Sequence, residues 1–338
     1  MTTFAHFSDP HLPLPPGMPR PLGVLAGKRL LGFLSWHLKR KIRHEPKVLR
    51  ALCADVAAHD PAHTLITGDL TNLALPSEFR AARTWLEEFG PPSMVSVVPG
   101  NHDALVRLPD GQGLELWQPW MTGDGEWPSS GGTAFPYVRV RGEVAFVGLS
   151  SAVVTPPLWA SGKLGAAQAE RVRQVLAKLA GKGLFRVLAV HHPPVDGLLN
   201  RRKALSDRSL LTEIVSTAGA ELIVHGHCHY AAFSALAGPH GSVPAIGTPS
   251  ASECFLRKKR RARWHLFRVT RLSDGWKLTL TVRGLDKDGD FERIGGWSMT
   301  LPAGAHGDTG RRDGLVTAAS LEREGGRDAE EPLARPEL

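Results

Sequence analysis

Five short clusters rich in histidine, aspartate, asparagine and glycine follow apolar runs in the first two-thirds of the chain. They are Asp9-Pro10-His11, Gly68-Asp69-Leu70-Thr71-Asn72, Gly100-Asn101-His102-Asp103, His191-His192-Pro193-Pro194 and Gly226-His227-Cys228-His229. Carboxylate, imidazole and amide oxygen together suit borderline divalent metals such as manganese, iron or zinc. One such cluster is a weak signal, but five in series after predicted strands indicate a metal centre.

The donor set is larger than one tetrahedral metal needs, and it predicts two metals about 3.5–4 Å apart that share a bridging carboxylate. Asp9 and His11 stand two positions apart, as do His227 and His229. In an extended chain each pair would project from one face and converge on one centre. Glycine opens three clusters and is expected to let the backbone turn sharply there, at Gly68, Gly100 and Gly226.

The apolar runs predict strands, and the periodic stretches between several of them predict helices. Strands are predicted at residues 4–7, 64–67, 94–98, 144–149, 186–190 and 221–224. Helices are predicted at residues 46–59, 77–89, 166–179 and 209–218. Alternating strands and helices favour an α/β fold with mainly parallel strands, in which ligands lie outside the carboxyl ends of the strands.

The chain changes character after Ser250. Residues 264–270 and 276–283 flank a Ser-Asp-Gly turn and predict a hairpin. Residues 303–338 are rich in glycine, arginine and glutamate with little apolar content, which predicts a disordered tail. Residues 109–132 are rich in glycine, tryptophan and proline and predict a long surface loop or lid.

The ordered set D-x-H, G-D-x-x-N, G-N-H-D, H-x-P and G-H-x-H resembles the motifs of the calcineurin-like metallophosphoesterase family, and it extends from Asp9 to His229. The resemblance implies two mixed β-sheets packed as a sandwich flanked by helices, with a dinuclear site at the edge. It implies a single domain over residues 1–302, with an insertion at 20–47 and C-terminal β elements at 251–302.

The resemblance also implies a ligand set for two divalent ions, with manganese, iron and zinc as candidates. One ion would be bound by Asp9, His11 and His229. The second would be bound by Asn101, His191 and His227, with Asp69 bridging the two. His192 would then be a neighbour of the site and not a ligand.

The two metals would lower the pKa of a bridging water, and the resulting hydroxide would attack phosphorus in line. His102 matches the family position that faces the substrate, where it would protonate the leaving group or bind a phosphoryl oxygen. Asp103 would hold that imidazole in the required tautomer, the alternative being that both residues only order the loop. Arg201 and Arg202 either reach the substrate phosphate or belong to a solvated loop.

The formal net charge of +8 comes from two stretches. Residues 20–47 carry eight basic residues and one acid, and residues 257–271 carry eight basic residues and no acid. Together they supply +15, so the rest of the chain is net −7. The protein is therefore mildly acidic apart from two basic patches. The location of these patches, and not the overall charge, indicates which partners are plausible.

The first stretch has helical periodicity between residues 30 and 42. Its leucines and Ile42 fall on one side of a helical wheel, and its cations fall on the other beside Trp36 and Phe33. This pattern is typical of a membrane-surface helix, with candidate contacts at Leu30, Leu31, Leu34, Trp36, Leu38, Lys39 and Arg40. The alternative is a helix that packs its apolar stripe on the domain and leaves its cations solvated.

Three cysteines are too few for a disulfide framework, and no apolar stretch is long enough to span a membrane. No signal peptide is recognised, so the expected location is cytoplasmic, peripheral to the inner face of the membrane. The basic run at 257–263 lacks interleaved aromatics, which ranks nucleic acid below anionic lipid as a partner. Six histidines fit no ligand cluster and receive no role: His6, His37, His44, His59, His63 and His240.

Two substrate classes follow. The G-N-H-D and H-H-P-P clusters resemble the cyclic-nucleotide phosphodiesterase branch of the family, whose substrates are soluble. The cationic amphipathic insertion resembles that of branches that cleave lipid-linked pyrophosphates such as UDP-diacylglucosamine. We therefore expect a phosphodiester or pyrophosphate substrate at a membrane surface, with a soluble cyclic-nucleotide phosphodiesterase as the alternative. A non-catalytic adaptor is disfavoured because every ligand cluster is intact.

Overall fold

The structure is a computed structural model that describes residues 1–16, 27–125, 135–254 and 260–302. The predicted tail at 303–338 lies outside the described residues, as do residues 20–26 of the insertion and 257–259 of the second basic stretch. The side chain of Lys39 is also outside the described part.

Twelve strands in the described residues form two mixed six-stranded sheets. They are β1 (Thr2–Phe7), β2 (His63–Ile66), β3 (Val95–Val97), β4 (Tyr137–Arg141), β5 (Val144–Gly148), β6 (Phe185–Ala189), β7 (Leu222–His225), β8 (Ala232–Gly238), β9 (Gly241–Gly247), β10 (Arg263–Arg271), β11 (Gly275–Leu285) and β12 (Phe291–Pro302). One sheet has the order β12-β11-β10-β1-β2-β3, and the other β4-β5-β6-β7-β9-β8. Strands β1 to β3 are parallel in the first sheet, and β5, β6, β7 and β9 are parallel in the second.

Helices flank the two sheets. The longer ones are α3 (Pro46–Ala58), α4 (Pro76–Phe89), α5 (Ala166–Gly181) and α6 (Arg208–Ala218). Helices α5 and α6 share one apolar cluster with the outer face of the second sheet, and α3 and α4 belong to the larger core around the first. The two sheets and their helices therefore form the flanked sandwich that the sequence predicted.

A continuous apolar core fills the space between the sheets. Phe4 of β1 stacks on Phe267 of β10 with ring centroids 4.8 Å apart, and it meets Phe146 of β5 edge-on at 5.1 Å. Along β5 the side chains alternate, so Ala145 and Val147 belong to the opposite cluster with α5 and α6. This two-sided burial explains why the central strands are continuous apolar runs in the sequence.

The predicted strands and helices are confirmed within a few residues, but the segment at 109–132 is not the surface lid that its composition suggested. Its described part contains a 3₁₀ helix, Leu114–Met121, that buries two tryptophans in the core. The indole nitrogen of Trp117 donates to the carbonyl of Phe79 at 3.0 Å, and that of Trp120 donates to the carbonyl of Gly90 at 3.0 Å. The tryptophans serve packing here, and residues 126–132 lie outside the described chain.

The basic insertion is helical, as its periodicity predicted. Helix α1 (Lys28–Ser35) continues through a π-helical turn (Trp36–Arg40) into α2 (Lys41–Arg43). Polar contacts attach its first turn to the domain, because Arg29 donates to the backbone carbonyls of Leu73 and Ala74 at 3.1 and 2.6 Å. The Nζ of Lys28 also donates to the hydroxyl of Thr155 at 2.6 Å.

The apolar stripe of this helix faces outward. Exposed fractions are 47% for Leu30, 44% for Leu31, 49% for Leu34, 71% for Leu38 and 73% for Ile42. The alternative in which the stripe packs on the domain and the cations are solvated is therefore wrong. The helix contacts the domain through the charged side chain of Arg29, and its row of aliphatic side chains is 44% to 73% exposed.

Candidate metal centre

The seven predicted ligands lie together at one edge of the sandwich. Each follows the carboxyl end of a parallel strand, namely β1, β2 and β3 from the first sheet and β6 and β7 from the second. Backbone hydrogen bonds join the loops, because Asp9 N donates to the Gly68 carbonyl at 3.0 Å and Gly226 N donates to the His191 carbonyl at 3.1 Å. The fold therefore brings residues from positions 9 to 229 into one buried cluster.

Five of the seven ligands have a left-handed backbone. The φ values are 52° at Asp9, 40° at His11, 56° at Asp69, 67° at His227 and 54° at His229. The prediction that Asp9/His11 and His227/His229 converge because they lie in extended segments is therefore wrong in its mechanism. Non-glycine residues rarely adopt this conformation, and such strain clusters at functional sites where surrounding structure holds it.

The glycines that open the clusters act mainly through close approach. A Cβ at Gly100 would lie 2.2 Å from Asp69 Oδ1, and a Cβ at Gly226 would lie 2.5 Å from Asp9 Oδ2. Of the three, only Gly68 has a left-handed backbone, with φ of 90°. The sharp-turn explanation therefore applies to Gly68, whereas Gly100 and Gly226 leave room for ligand carboxylates.

The first half of the centre contains Asp9, His11 and His229. His229 Nε2 lies 3.2 Å from Asp9 Oδ1 and 3.3 Å from His11 Nε2. Asp9 Oδ1 is buried and forms no hydrogen bond with the described protein, although Oδ2 accepts the backbone N–H of His227 at 3.0 Å. An unpaired carboxylate oxygen that converges with two imidazole nitrogens is the arrangement that a cation completes.

The second half contains Asn101, His191 and His227, and Asp69 lies between the halves. Asp69 Oδ2 is 3.4 Å from His191 Nε2 and 3.9 Å from His11 Nε2, while Oδ1 accepts the N–H of His102 at 2.7 Å. His191 Nε2 is also 3.2 Å from Asn101 Oδ1. The position of Asp69 Oδ2 fits the bridging role predicted for this carboxylate.

Backbone carbonyls hold the second nitrogen of three ligand imidazoles. His11 Nδ1 lies 3.3 Å from the carbonyl of Thr71, His191 Nδ1 lies 2.6 Å from that of Thr67, and His227 Nε2 lies 2.9 Å from that of Lys203. A carbonyl only accepts, so each of these nitrogens carries a proton, and the opposite nitrogen is the one available to a metal. Metal-binding histidines are commonly oriented in this way.

The centre favours positive charge even in the protein alone. Burial lowers the pKa of His191, but Asp69, Asp9 and the Thr67 carbonyl together outweigh it and raise the pKa to about 9. Burial likewise lowers the pKa of His229, but Asp9 and Glu253 raise it to about 9. The two carboxylates therefore stabilise a cation in each half of the centre, and a divalent metal would displace a proton in each.

His102 and Asp103, the catalytic pair predicted at the third cluster, have different surroundings in the structure. Asp103 does not contact the imidazole of His102. Its carboxylate accepts the backbone N–H groups of Asp69, Thr71 and Gly100 at 2.8 to 2.9 Å, so it orders two ligand loops. The tautomer-holding role predicted for Asp103 is wrong, because the carbonyl that accepts from His102 Nδ1 at 2.7 Å belongs to Asn72.

His102 lies beside the first half of the centre, and its role toward the substrate stays a prediction. Its ring centroid is 5.2 Å from that of His11, and its Nδ1–H is donated to Asn72, so Nε2 carries the lone pair. Burial and then the charge of Arg40 lower the pKa of His102 to about 3. In the free protein the imidazole is therefore neutral and accepts at Nε2.

Two buried or half-buried residues of the site were not found from the sequence. His44, which received no role, lies with its ring 4.6 Å from that of His11, and its Nδ1 is 2.8 Å from the Ser252 hydroxyl. Glu253 is 1% exposed and lies 3.5 Å from His229 Nδ1. Both sit in loops beside β1, and the available signal was weak, namely a histidine one turn after Arg40 and an acid shortly after a strand.

Other predicted residues lie at the margin. Both nitrogens of His192 have hydrogen-bond partners, the Ser151 hydroxyl at 2.7 Å and the Ala160 carbonyl at 3.1 Å. His192 also lies close enough to His191 and His227 to share a metal ion with them, so its role as a neighbour of the site stays a prediction. The side chains of Arg201 and Arg202 are exposed, and substrate binding by them stays a prediction.

The predicted membrane-contact residues differ in where their side chains lie. Trp36 is half-buried, and its ring meets that of His37 at 4.9 Å. Arg40 is not a membrane contact as predicted, because its Nη1 lies 3.1 Å from His102 Nδ1. Arg40 and His44 therefore face the metal centre, whereas Ile42 between them stays at the surface.

Replacing Glu253 with glutamine is expected to weaken metal binding about 10- to 100-fold, because a neutral amide no longer raises the basicity of His229. Competition with a metal-binding dye measures the affinity. The matched control Glu292→Gln, at an exposed strand position, should bind metal as the wild type does. Equal affinities in the two variants would show that Glu253 has no part in metal binding.

Paired carboxylate–imidazole half-sites at the edge of a flanked sandwich define a candidate two-metal protein. Residues 2–231 match the calcineurin-like phosphoesterase family, and the chain belongs to that family. A curated relative is 26% identical over 217 residues, which cover 63% of this chain and 74% of the relative; it is a probable cyclic nucleotide phosphodiesterase from Synechococcus.

Two solved structures share the fold. A dimetal phosphatase from Danio rerio superposes with a TM-score of 0.56 at 12% identity, over 89% of this chain and 99% of the other. A purple acid phosphatase from yellow lupin seeds superposes with a TM-score of 0.52 at 13% identity, over 88% of this chain and 53% of the other. The histidine and aspartate clusters described above could hold metal ions in both halves of the centre.

Proposed function

We propose that the protein hydrolyses a phosphodiester or pyrophosphate bond in a substrate held at an anionic membrane surface, such as UDP-diacylglucosamine. The observation that carries the proposal is the exposed aliphatic row of the insertion, which ends beside the metal centre. Leu38 and Ile42 are 71% and 73% exposed, and Arg40 between them reaches His102. A substrate anchored in a bilayer would thus meet the apolar row and the site together.

The aliphatic row is large enough to bind a surface. Fully burying one leucine side chain is worth about 1.5–3 kcal/mol, and five such side chains lie in the row. Val154 and Leu158, 56% and 75% exposed, are close in sequence to Thr155, whose hydroxyl accepts from Lys28 in the first turn of the helix. Contiguous exposed apolar side chains on a folded protein mark binding sites.

Charge supports a negatively charged surface. Cys254 N donates to the Arg43 carbonyl at 2.9 Å, so the chain leading into the second basic stretch runs beside the end of the insertion. Each lysine or arginine near an anionic lipid surface contributes about 1 kcal/mol, so the cations of the insertion would add to the binding of such a surface. No helix among the described residues is long and apolar enough to cross a bilayer.

The site residues supply the chemistry in the following way. When bound, two divalent ions would supply a hydroxide nucleophile near neutral pH and positive charge for the phosphoryl oxygens. Asp69 and the half-sites around it fix where those ions would bind. His102 Nε2, with its lone pair directed by the Asn72 carbonyl, is placed to take up and transfer a proton beside the first half-site.

Replacing both Leu34 and Leu38 with serine is expected to reduce binding to anionic vesicles by more than tenfold, because two aliphatic side chains no longer enter the bilayer. Cosedimentation with vesicles of phosphatidylglycerol and phosphatidylcholine measures the bound fraction. Ile294→Ser, at a 42% exposed position on strand β12, serves as the control and should bind as the wild type does. Unchanged vesicle binding by the leucine variant would remove the basis for a membrane substrate.

A soluble cyclic nucleotide phosphodiesterase is the second candidate. The curated relative from Synechococcus favours it, since that protein is a probable cyclic nucleotide phosphodiesterase. The metal centre is equally suited to this bond, so the substrate class depends on what the insertion binds.

A further inference from the structure

The inner side of the insertion ends in two groups that face the metal centre. Arg40 and His44 are one helical turn apart, and His44 N donates to the Arg40 carbonyl at 2.9 Å. The Arg40 guanidinium approaches His102, and the His44 ring lies against His11. The insertion therefore forms one wall of the site as well as an outer surface.

The contact between Arg40 and His102 cannot be a hydrogen bond. His102 Nδ1 lies 2.7 Å from the Asn72 carbonyl, which only accepts, so Nδ1 carries a proton and has no lone pair for the guanidinium 3.1 Å away. Among the described residues, the Arg40 side chain has no other hydrogen bond or ion pair. Within the part of the chain that the structure describes, this half-buried guanidinium with five N–H donors therefore has no acceptor.

The charges around Arg40 indicate what the acceptor is. Asp9 and Asp69 attract the guanidinium, but both carboxylates belong to the donor set of the metal centre. With cations bound to them, Arg40 would face net positive charge, which an anion between the guanidinium and the centre relieves. A planar guanidinium pairs best with the two oxygens of a carboxylate or phosphoryl group.

We propose that Arg40 binds the non-bridging oxygens of the phosphoryl group under attack, from the same helix whose opposite side carries the exposed aliphatic row. The proposal deepens the proposed function and rests on it for the identity of the anion. In this arrangement a helix seated on a membrane also completes the anion site. The alternative is that Arg40 only attaches the helix to the domain.

The test compares Arg40→Met and Arg40→Lys with Lys41→Ala, an exposed neighbour on the same helix. Calorimetric titration of inorganic phosphate into the metal-loaded proteins measures anion binding directly, and soluble bis-p-nitrophenyl phosphate reports turnover. Arg40→Met is expected to weaken phosphate binding at least tenfold and to lower kcat/KM about 10²–10³-fold. Arg40→Lys should recover only part of either value, because an ammonium cannot pair with two oxygens. Lys41→Ala should match the wild type.

Unchanged phosphate affinity in either Arg40 variant, with normal metal content and a normal circular dichroism spectrum, would overturn the proposal. Arg40→Lys keeps the charge that attaches the helix, so it remains informative if Arg40→Met does not fold. Phosphate binding distinguishes a failure of the Arg40 anion site from a failure of the proposed function. If the wild type binds phosphate through Arg40 but cleaves no phosphodiester, the proposed function fails and the anion site stands.

Discussion

Replacing Asp69 with asparagine is expected to lower kcat by about 10³–10⁴-fold and to reduce the bound metal from two ions to one or none. The amide keeps an oxygen at the Oδ1 position, where it still accepts the N–H of His102, so the loop should remain folded. At the Oδ2 position, between His11 and His191, it presents an NH₂ group that repels a cation. Loss of several kcal/mol of transition-state stabilisation corresponds to that range of rates.

Metal analysis by mass spectrometry and turnover of bis-p-nitrophenyl phosphate measure the two effects on the same sample. The control is Asp288→Asn, at an exposed position in the turn between β11 and β12, well beyond the last ligand along the chain. Two tightly bound ions in the Asp69 variant would contradict the bridging role, whatever the rate.

Replacing His102 with alanine is expected to lower kcat by about 10²–10⁴-fold while the metal content stays normal. The imidazole is 8% exposed, its Nδ1–H is held by the Asn72 carbonyl, and its Nε2 is free to exchange a proton beside the first half-site. It touches no predicted ligand through a hydrogen bond of its side chain, so its removal should leave both half-sites assembled.

The control for His102 is His240→Ala, in the exposed turn between β8 and β9. A second comparison uses substrates whose leaving groups differ in pKa, because a lost proton donor affects poor leaving groups most. Near-normal turnover with retained metal, or an equal loss for all leaving groups, would exclude proton transfer by His102.

The ligand set was predictable because chemistry-bearing residue types recur at strand ends, and parallel strands gather their carboxyl ends at one edge. What the residues could not show was the local backbone. The left-handed conformations at Asp9, His11 and Asp69 depend on hydrogen bonds between loops that are about 60 residues apart, such as His11 N to the Asp69 carbonyl. No local pattern contains that information.

The insertion shows a different limit. Periodicity established that residues 30–42 have an apolar side and a cationic side, but not which side meets the domain. In the structure the charged side chain of Arg29 contacts the domain and Leu38 is exposed. An amphipathic helix on a folded domain usually does the opposite, with its apolar side on the protein and its charged side in solvent. Arg40 was predicted to contact a membrane because a helical wheel shows only its place on the cationic side. The wheel cannot show that the π-helical turn directs this side chain toward the metal centre. Asp103 was misassigned because adjacency in sequence to His102 does not imply contact.

The central claim is that catalysis occurs on a substrate presented at a membrane. Its most direct test is a side-by-side assay of cyclic AMP and UDP-diacylglucosamine, with and without phosphatidylglycerol vesicles, using wild type and the Leu34/Leu38 serine variant. We expect metal-dependent cleavage of UDP-diacylglucosamine that vesicles stimulate and that the variant loses. Vesicle-independent cleavage of cyclic AMP, equal in the two proteins and without activity on the lipid, would contradict the account.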